Sequence, residues 1–492
     1  MNTNAAVRMI TPQHQHRLKN LLKQLQHFRQ TQQTGGTMRL QPIEKTLIAT
    51  GYDHLETSRS ILTLLFGQPE TRTFAVRWWD GSSDTPDHEP QFTLEFRRPG
   101  ALRRMLWRPS ELSLAEAFLR KDFEVIGDIE AAAALETQFS ISARTPLGFV
   151  RLMPLLSRLP TDDFSDETAP VRFKASNHPE HSRTSDAEEV RSHYDMGNDF
   201  YALWLDRQMI YSCAYFETGS EDIDTAQHAK LEHICKKLRL EPGEHLLDIG
   251  CGWGGLVIHA AQRYGVRATG ITLSEPQAEF ARTKVRELGL MDLVQIEVRD
   301  YRDFPPDVQF DKIVSIGMVE HVGRRNIARY FAEAARLLKP GGVFLCHGII
   351  EVRPPRTPLL AWLEALTWRK RSFLQHYVFP GGEVLPVSDL LNAAQRAGLE
   401  AHDLENLREH YALTTRRWRE RLEAHQTEVM RLVGETSYRV YRLYLGAIAR
   451  TFATGRNGVA QMLLSKPMGD GSSRLPLTRS DWYRRDQNET RS

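Results

Sequence analysis

The sequence has few cysteines and almost no charge imbalance, and both features exclude whole classes of protein. Its 492 residues include four cysteines and no C-x-x-C pair, so neither a disulfide framework nor a zinc site is predicted. The net charge of +2 is far from the large basic field of a nucleic-acid-binding protein. We therefore expect a cytoplasmic protein with no resident metal and no nucleic-acid partner.

Long apolar runs are also missing. No segment approaches the roughly 20 apolar residues that cross a membrane, and the first 36 residues contain no apolar core of the kind found in secretory signals. The length exceeds one ordinary core, so at least two domains are expected. Composition and pattern predict an N-terminal extension (1–36), an α+β N-terminal domain (37–158), a linker (159–185), an α/β domain (186–470) and a flexible tail (471–492).

Residues 246–255, with the sequence LLDIGCGWGG, combine an aspartate with a glycine-rich segment. An apolar strand leads to Asp248, a turn containing Gly250, Gly252 and Gly254 follows, and an apolar helix begins directly after it. Glycines let the backbone turn tightly and let a ligand lie against it. The start of the helix offers unpaired N–H groups and a positive dipole end. The segment predicts a nucleotide-type site at the carboxyl edge of a parallel sheet.

The glycine spacing alone fits both a dinucleotide site and a site for S-adenosylmethionine (SAM). Two neighbouring features favour SAM. Asp248 stands where dinucleotide sites usually have an apolar residue, and it can orient the ammonium group of the ligand. The next strand, residues 268–272, lacks the terminal carboxylate that dinucleotide sites place on the ribose. The hydroxyls of Thr272 and Ser274 and the amide of Gln277 can take that role.

Five apolar segments alternate with helical patterns in the second half of the chain. They predict strands at residues 245–249, 267–272, 293–298, 310–316 and 342–346. Strands separated by helices form a parallel sheet through right-handed crossovers. We therefore predict the α/β class, with a Rossmann-like doubly wound parallel sheet preceded by the smaller α+β domain. Strands of that smaller domain are predicted at residues 73–79 and 91–96, and its helices at 112–119 and from 128 onward.

Seven segments occur in one family in the same order. They are residues 193–201, 209–216, 247–254, 270–277, 315–323, 377–382 and 409–413. On these segments the chain resembles the cyclopropane fatty acyl phospholipid synthases, within the class I SAM-dependent methyltransferases. The resemblance covers roughly residues 186–460, and residues 114–124 extend it less closely into the N-terminal domain.

The resemblance implies a reaction. In this family SAM donates a methyl group to the cis double bond of an unsaturated phospholipid acyl chain. The resulting carbocation loses a proton from that methyl group to bound bicarbonate, and a cyclopropane ring closes. The catalytic residues it implies are Cys213, Glu320, His347, Ile349 and Tyr411. The SAM contacts it implies are Tyr211, Ser212, Asp248, Gly250, Cys251, Gly252, Gly254, Thr272, Leu273, Ser274, Gln277, Tyr301 and Ile316.

Three of the implied catalytic residues also have a plainer interpretation. Glu320 follows the fourth strand, where doubly wound sheets bind ligands. An acid in that place can also simply face a helix dipole. A carboxylate beside bicarbonate is repulsive unless one of the two carries a proton. His347 follows the fifth strand and could be an ordinary satisfied polar group, and Cys213 a small buried residue.

Three positions depart from the family pattern. Ala214 follows Cys213 where glycine is common, which can alter the backbone next to the anion. Relatives that act on mycolic acids have Trp-Glu at the position of Tyr301, here expected to stack on adenine. Late in the chain, near residues 444–452, the cysteine common in the family is missing, which excludes cysteine nucleophilic catalysis at that place.

The resemblance also implies partners. The acyl chain is part of a phospholipid, so we expect the protein to lie at the inner face of the membrane as a peripheral protein. A basic run could meet anionic head groups, although such runs are more often solvated helix faces. This run consists of Arg416, Arg417, Arg419 and Arg421. A homodimer is consistent with the family.

Other functions remain open at this point. The same cation could lose a different proton and give a methylene or a methyl branch. A non-catalytic protein that binds SAM and lipid would keep the fold, although the presence of the implied catalytic residues argues against it. A dehydrogenase is disfavoured by Asp248 and by the missing carboxylate after the second strand.

Overall fold

A computed structural model of the chain describes residues 53–135, 146–161, 196–352, 372–379 and 381–483. The elements below belong to one compact unit that begins at His54. The predicted extension (1–36), most of the predicted linker (162–185) and the start of the first family segment (193–195) lie outside the described residues.

The first part of this unit is a small α+β layer. Its sheet has the order β2-β1-β3-β4, with strands β1 Ala75–Arg77, β2 Ser83–Asp84, β3 Phe92–Phe96 and β4 Phe123–Gly127. Its helices are α1 His54–Phe66, α2 Ala101–Leu106, α3 Glu111–Leu119, α4 Ile129–Ala133 and α5 Pro146–Ser157. Every second residue of β3 is buried, because alternate side chains of a strand face the same side. Both predicted strands and both predicted helices are confirmed, with shifted ends.

The second part is built on a larger sheet with the order β11-β12-β9-β8-β5-β6-β7, and β10 pairs with β9. Its strands are β5 His245–Ile249, β6 Arg267–Thr272, β7 Val294–Val298, β8 Phe310–Ile316, β9 Leu338–Glu351, β10 Leu385–Pro386, β11 Glu400–Asn406 and β12 Asn457–Ser465. The strands from β5 to β9 pair in parallel. All five predicted strands are present, and the predicted doubly wound α/β class is confirmed.

Two strands at one edge were not predicted. β12 pairs in antiparallel fashion with both β9 and β11. Almost all of β12 is buried, and a continuous buried run cannot be told from a buried helix by its periodicity. The pairing places Val459 opposite Ile349 and Gln461 opposite His347.

Helices cover both faces of the larger sheet. They are α6 Asn198–Ala202, α7 Ile223–Leu238, α8 Gly255–Tyr264, α9 Glu275–Glu287, α10 Val319–Val322, α11 Ile327–Leu337, α12 Phe373–Tyr377, α13 Val387–Arg396, α14 Arg408–Ala424 and α15 Gln426–Ala453, together with a 3-10 helix at Tyr301–Asp303. Helix α15 has a kink at Gly434, where φ is 82°. Within the described ranges, no helix is long and apolar enough to cross a bilayer.

One apolar cluster extends through both predicted domains, from Phe96 and Phe118 in the small layer to Tyr444 and Phe452 in α15. The basic run of α14 reinforces this contact. Arg416 pairs with Glu130 at 2.6 Å and Arg419 with Asp128 at 2.9 Å, both in or next to α4. Arg417 and Arg421 pair with Glu420 and Asp224. All four arginines of the run therefore have carboxylate partners within the protein, and two of them join α14 to the small layer.

The described part of the predicted tail also packs against the protein. Trp482 is 5% exposed, and the cations of Lys237 and Arg239 lie 5.4 and 5.0 Å from its ring centre. Arg239 Nε donates to Asp481 Oδ2 at 2.6 Å. Residues up to Tyr483 thus include an anchored aromatic side chain, in contrast to the solvated tail expected from composition.

Candidate active site

A cleft opens where β5, β6 and β8 end, on the carboxyl side of the parallel strands. It has an empty volume of about 1250 Å³, part of which is open to solvent. Parallel strands present their carboxyl ends at one edge, and doubly wound sheets bind ligands there. Most of the predicted SAM contacts line the cleft, namely Tyr211, Ser212, Asp248, Gly250, Cys251, Gly252, Thr272, Leu273, Gln277, Tyr301 and Ile316.

The glycine turn after β5 shapes one wall of the cleft. Gly250 has φ of 87°, and an added Cβ would come within 2.5 Å of Met318. Gly254 caps α8 with φ of 86° and lies against Ala281, so this predicted contact supports the helix instead of lining the cleft. Gly252 has φ of 54° and nothing within 4 Å of an added Cβ. The backbone is therefore closely packed behind the turn and open in front of Gly252.

Asp248 is the acid at the floor of the cleft. It is 3% exposed, and its Oδ1 has no hydrogen-bond partner among the described residues. Burial raises the pKa of Asp248 to about 7, and the charge of Lys230 acts against that rise. A buried acceptor without a partner is costly, which indicates a place where a ligand donates.

The segment after β6 is held by its own polar side chains. Thr272 Oγ1 donates to Gln277 Oε1 at 2.8 Å. Ser274 caps α9 by accepting from Gln277 N at 3.4 Å and does not line the cleft. The Thr272 and Gln277 side chains are thus fixed toward the cleft, whereas Ser274 organises the helix start.

The wall after β7 carries Tyr301, which is 7% exposed. Its ring packs edge-on against Tyr330, with 5.5 Å between ring centres, and the guanidinium of Arg302 lies 5.4 Å from its centre. Arg302 Nε also donates to Asp300 at 2.8 Å. The predicted adenine position is therefore aromatic and rigidly packed.

Two predicted residues, Glu320 of α10 and Ile349 of β9, are in direct contact, and we call them the Glu320 group. Glu320 Oε1 accepts from the backbone N–H of Ile349 at 2.6 Å, and its buried Oε2 has no partner among the described residues. Gly348 makes this approach possible, because an added Cβ would come within 2.2 Å of Val319 and 3.4 Å of both Glu320 oxygens. Burial raises the pKa of Glu320 to about 7. The side chain can therefore hold or release a proton near neutral pH.

His347 is buried on β9, two residues before Ile349. Burial and the positive charges of Lys230 and Lys237 lower the pKa of His347 to about 3. The imidazole is therefore neutral. The side chains of Gln461 and His347 are hydrogen-bonded, with 3.3 Å between Gln461 Nε2 and His347 Nδ1.

Cys213 and Tyr411 meet at one backbone carbonyl. The thiol of Cys213 lies 3.6 Å from Leu407 O, and Tyr411 N donates to the same oxygen at 3.0 Å. Leu407 N in turn donates to Val459 O on β12, opposite Ile349. Strand β12 thus connects Cys213 and Tyr411 to the strand that carries His347 and Ile349.

Burial raises the pKa of the Cys213 thiol far above its ordinary value, so this cysteine is not a thiolate nucleophile. The adjacent departure from the family pattern, Ala214, is fully buried. Its N–H donates to Thr414 Oγ1 at 3.0 Å, which ties this loop to α14.

Two cleft-side residues were missed by the sequence analysis, Gln227 and Lys230 of α7. Lys230 is 3% exposed and lines the cleft, and its Nζ donates to Ser212 Oγ at 2.8 Å. Gln227 Nε2 donates to Ser212 O at 2.9 Å. A signal was available, because both polar residues fall on the apolar side of α7 with Ile223, Ala226, Leu231 and Ile234.

No group of three or more His, Cys, Asp or Glu side chains in the described part of the chain is arranged to hold a metal ion.

The aromatic residues near Cys213 are engaged in packing. Tyr215 stacks between His233 and His410, with ring centres 4.3 and 4.9 Å away.

The parallel sheet, the glycine turn after β5 and the cleft beside it define a class I SAM-dependent methyltransferase fold. The family model described as mycolic acid cyclopropane synthetase matches residues 181–462, and the chain belongs to this family. A second model, described as a domain of unknown function, matches residues 61–142.

Relatives with known names extend this assignment. A "Probable fatty acid methyltransferase" of Pseudomonas putida is 39% identical over 410 residues, which are 83% of this chain and 96% of that protein. The cyclopropane-fatty-acyl-phospholipid synthase of Escherichia coli K12 is 37% identical over 281 residues, 57% of this chain and 68% of that protein.

Solved structures of the family have the same fold. The cyclopropane synthase MmaA2 from Mycobacterium tuberculosis is 34% identical with a TM-score of 0.52, over 56% of this chain and 97% of that chain. The mycolic acid cyclopropane synthase CmaA1, in complex with SAH and CTAB, is 33% identical with a TM-score of 0.52 over the same shares.

Proposed function

We propose that this protein transfers a methylene group from SAM to the cis double bond of an unsaturated phospholipid acyl chain and so forms a cyclopropane ring. Bicarbonate bound beside Glu320 is the proposed base. The observation that carries the proposal is Glu320 itself: a half-buried residue held by the Ile349 N–H, with a buried Oε2 that has no partner in the described residues. Glu320 lies in residues 315–323, one of the seven family segments, within the range that the family model matches.

The cleft residues fit SAM. The Asp248 oxygen without a partner suits the ammonium group of the cofactor, and the open space before Gly252 suits its closest approach to the backbone. Thr272 with Gln277 would face the ribose, and Tyr301 the adenine. SAM supplies an activated methyl group when it is bound.

The second group of residues fits bicarbonate. The Glu320 oxygen without a partner in the described residues, the neutral imidazole of His347 and the Tyr411 hydroxyl are the groups proposed to receive the oxyanion, with the Ile349 N–H holding the other Glu320 oxygen. Bicarbonate supplies a base there when it is bound. Glu320, with a pKa near 7, holds the proton that keeps a carboxyl group and an anion from repelling each other. Burial of these groups excludes water, which protects a cationic intermediate from capture.

A second candidate is a SAM-dependent fatty acyl C-methyltransferase that yields a methylene or methyl branch. One observation favours it: the Pseudomonas putida relative that matches 83% of this chain is described as a probable fatty acid methyltransferase. The two candidates share the cation and differ in which proton the base removes. The third possibility is a SAM- and lipid-binding protein without turnover.

The deciding experiment incubates the purified protein with labelled SAM, bicarbonate and vesicles of mono-unsaturated phospholipid, followed by gas chromatography–mass spectrometry of the acyl methyl esters. A gain of one CH₂ with ring-type fragmentation supports the proposal. A methylene or branched product replaces it with the second candidate. SAM binding without any lipid product replaces it with the third. Sedimentation of the protein with the same vesicles tests the proposed peripheral membrane location. The mass of the protein in solution tests the proposed homodimer.

A further inference from the structure

A buried cation beside the cleft has no role in the reaction described above. Lys230 lies on α7, is 3% exposed and lines the cleft. A lysine is seldom buried this completely, because taking its charge out of water is costly. Burial lowers the pKa of Lys230 to about 8, so the ammonium form still predominates at neutral pH.

The polar groups around Lys230 come from the loop before α7, from β5 and from β9. Its Nζ donates to Ser212 Oγ at 2.8 Å, in the loop before α7. The acids Asp206, in that loop, and Asp248, at the end of β5, both favour its charged form. His347 on β9 also faces it and is kept neutral partly by its charge.

We infer that Lys230 is a positioning residue for the methionyl end of SAM, acting through Ser212 and Asp248. The inference rests on the proposed function, since it deepens the proposed cofactor site. Ser212, which accepts from Lys230, and Asp248, on which its charge acts, both line the cleft, and Glu320 is not among the groups that act on Lys230.

The chemistry of the methionyl end fits this arrangement. That end carries an ammonium and a carboxylate. Ser212 Oγ accepts from Lys230, so the hydrogen of its own hydroxyl is free to donate to the carboxylate. The positive charge of Lys230 also favours the ionised form of Asp248, the form that accepts from the ammonium. One buried lysine therefore prepares a donor for the negative group and an acceptor for the positive group.

The test measures binding and does not depend on turnover. The probe is S-adenosylhomocysteine, which has the same methionyl end, titrated calorimetrically into the full-length protein between pH 6 and pH 9. Lys230→Met removes both the charge and the donor, and Lys230→Gln removes the charge and keeps a donor. Lys237→Met is the matched control, because Lys237 is a buried lysine of the same helix that pairs with Asp403 and Glu405 and does not line the cleft. Circular dichroism and thermal unfolding verify the fold of each variant.

Both Lys230 variants are expected to bind the probe roughly tenfold or more weakly at pH 7. The pH at which binding is half lost on acidification is expected to move upward in both, because Asp248 then protonates more readily. Lys237→Met is expected to keep its affinity within about twofold. Weaker binding without the pH shift, or an equal loss in Lys237→Met, would assign Lys230 a merely structural role and overturn the inference. If the variants bind as the wild type does, the inference alone fails; if the wild type itself does not bind, the proposed function fails with it.

Discussion

Asp248 and Glu320 are two acids at the same edge of the sheet, each with one buried carboxyl oxygen that has no partner among the described residues, and their surroundings differ in one respect. Burial raises the pKa of each to about 7. Asp248 has the cation of Lys230 to oppose that rise, whereas Glu320 has the backbone N–H of Ile349. Both neighbours favour the ionised form, Lys230 through its charge and the Ile349 N–H through a hydrogen bond, so the two acids differ in the kind of neighbour and not in their pKa. The comparison teaches that burial alone does not set the role of an acid.

The largest effect is expected from Glu320→Gln. Glutamine still accepts from Ile349 N but carries no exchangeable acid, so turnover should fall by about 10²–10⁴-fold, the usual range for loss of a general acid or base. Affinity for S-adenosylhomocysteine should stay within about twofold of the wild type. Methyl transfer from labelled SAM and calorimetric binding measure the two effects separately.

Glu409→Gln is the control for this change, since its side chain is 82% exposed and only two residues from Tyr411. It should leave turnover unchanged. A Glu320→Gln protein that keeps more than about a tenth of wild-type turnover would contradict the acid role, given the size of such effects.

The second largest effect is expected from Asp248→Asn. This change should weaken cofactor binding more than turnover, whereas Glu320→Gln should lower turnover and leave binding intact. Loss of the charged acceptor should weaken binding of S-adenosylhomocysteine by roughly ten- to a hundredfold. Turnover at saturating SAM should fall much less, because Asp248 lies on the cofactor side. Titration calorimetry and kcat at high SAM concentration check both statements. Unchanged affinity with a large loss of kcat would remove the distinction between the two acids.

A third change acts on Glu320 through its neighbour. In Gly348→Ala the new Cβ would come within 2.2 Å of Val319, so α10 must shift and carry Glu320 with it. Misplacement of this kind should lower turnover on the order of tenfold, with a stability loss of about 1–3 kcal/mol from overpacking. Kinetics and denaturant unfolding measure the two.

Gly252→Ala is the matched comparison for Gly348→Ala. It adds a methyl group on the cleft side, at φ of 54° with nothing within 4 Å. It should weaken S-adenosylhomocysteine binding and leave the pH dependence of turnover unchanged. The same phenotype in both glycine variants would indicate that cleft and Glu320 group act as one site.

The smallest effect concerns stability and pH. Because the folded state raises the pKa of Glu320 from its ordinary value to about 7, it binds that proton more tightly than the unfolded chain does. An ionised Glu320 lowers the free energy of unfolding. This loss is absent below the ordinary pKa of glutamate, grows as pH rises and is complete above about pH 7. The melting temperature of Glu320→Gln minus that of the wild type should therefore be a few degrees larger at pH 8 than at pH 5. A difference in melting temperature that is equal at both pH values would show that Glu320 has no raised pKa.

The parts of the molecule that depend on local sequence were predictable. The five parallel strands follow from apolar runs between helical patterns, and the turn around Gly250 follows from three glycines after an acid. These features rest on backbone conformation and on side chains close in the chain. The family resemblance added Glu320, His347 and Cys213, whose roles stay proposals.

Other features depend on partners far apart in the chain and were not predictable. β12 is a strand because β9 and β11 lie on either side of it, more than fifty residues away along the chain. Arg416 and Arg419 form a basic run in the sequence, yet their partners are Glu130 and Asp128. Trp482 stands in a polar tail and is anchored by two cations of α7 and the loop after it.

By itself, the sequence determined the fold class and the place of the glycine turn, because helix and strand periodicity and the conformational freedom of glycine are local properties. The tertiary structure alone decided which polar groups lost their water and which charges they then faced. Asp248 and Glu320 are both carboxyl groups at strand ends in the sequence. Burial raises the pKa of both to about 7, and the long-range packing gives them different neighbours: the charge of Lys230 for Asp248 and the Ile349 N–H for Glu320.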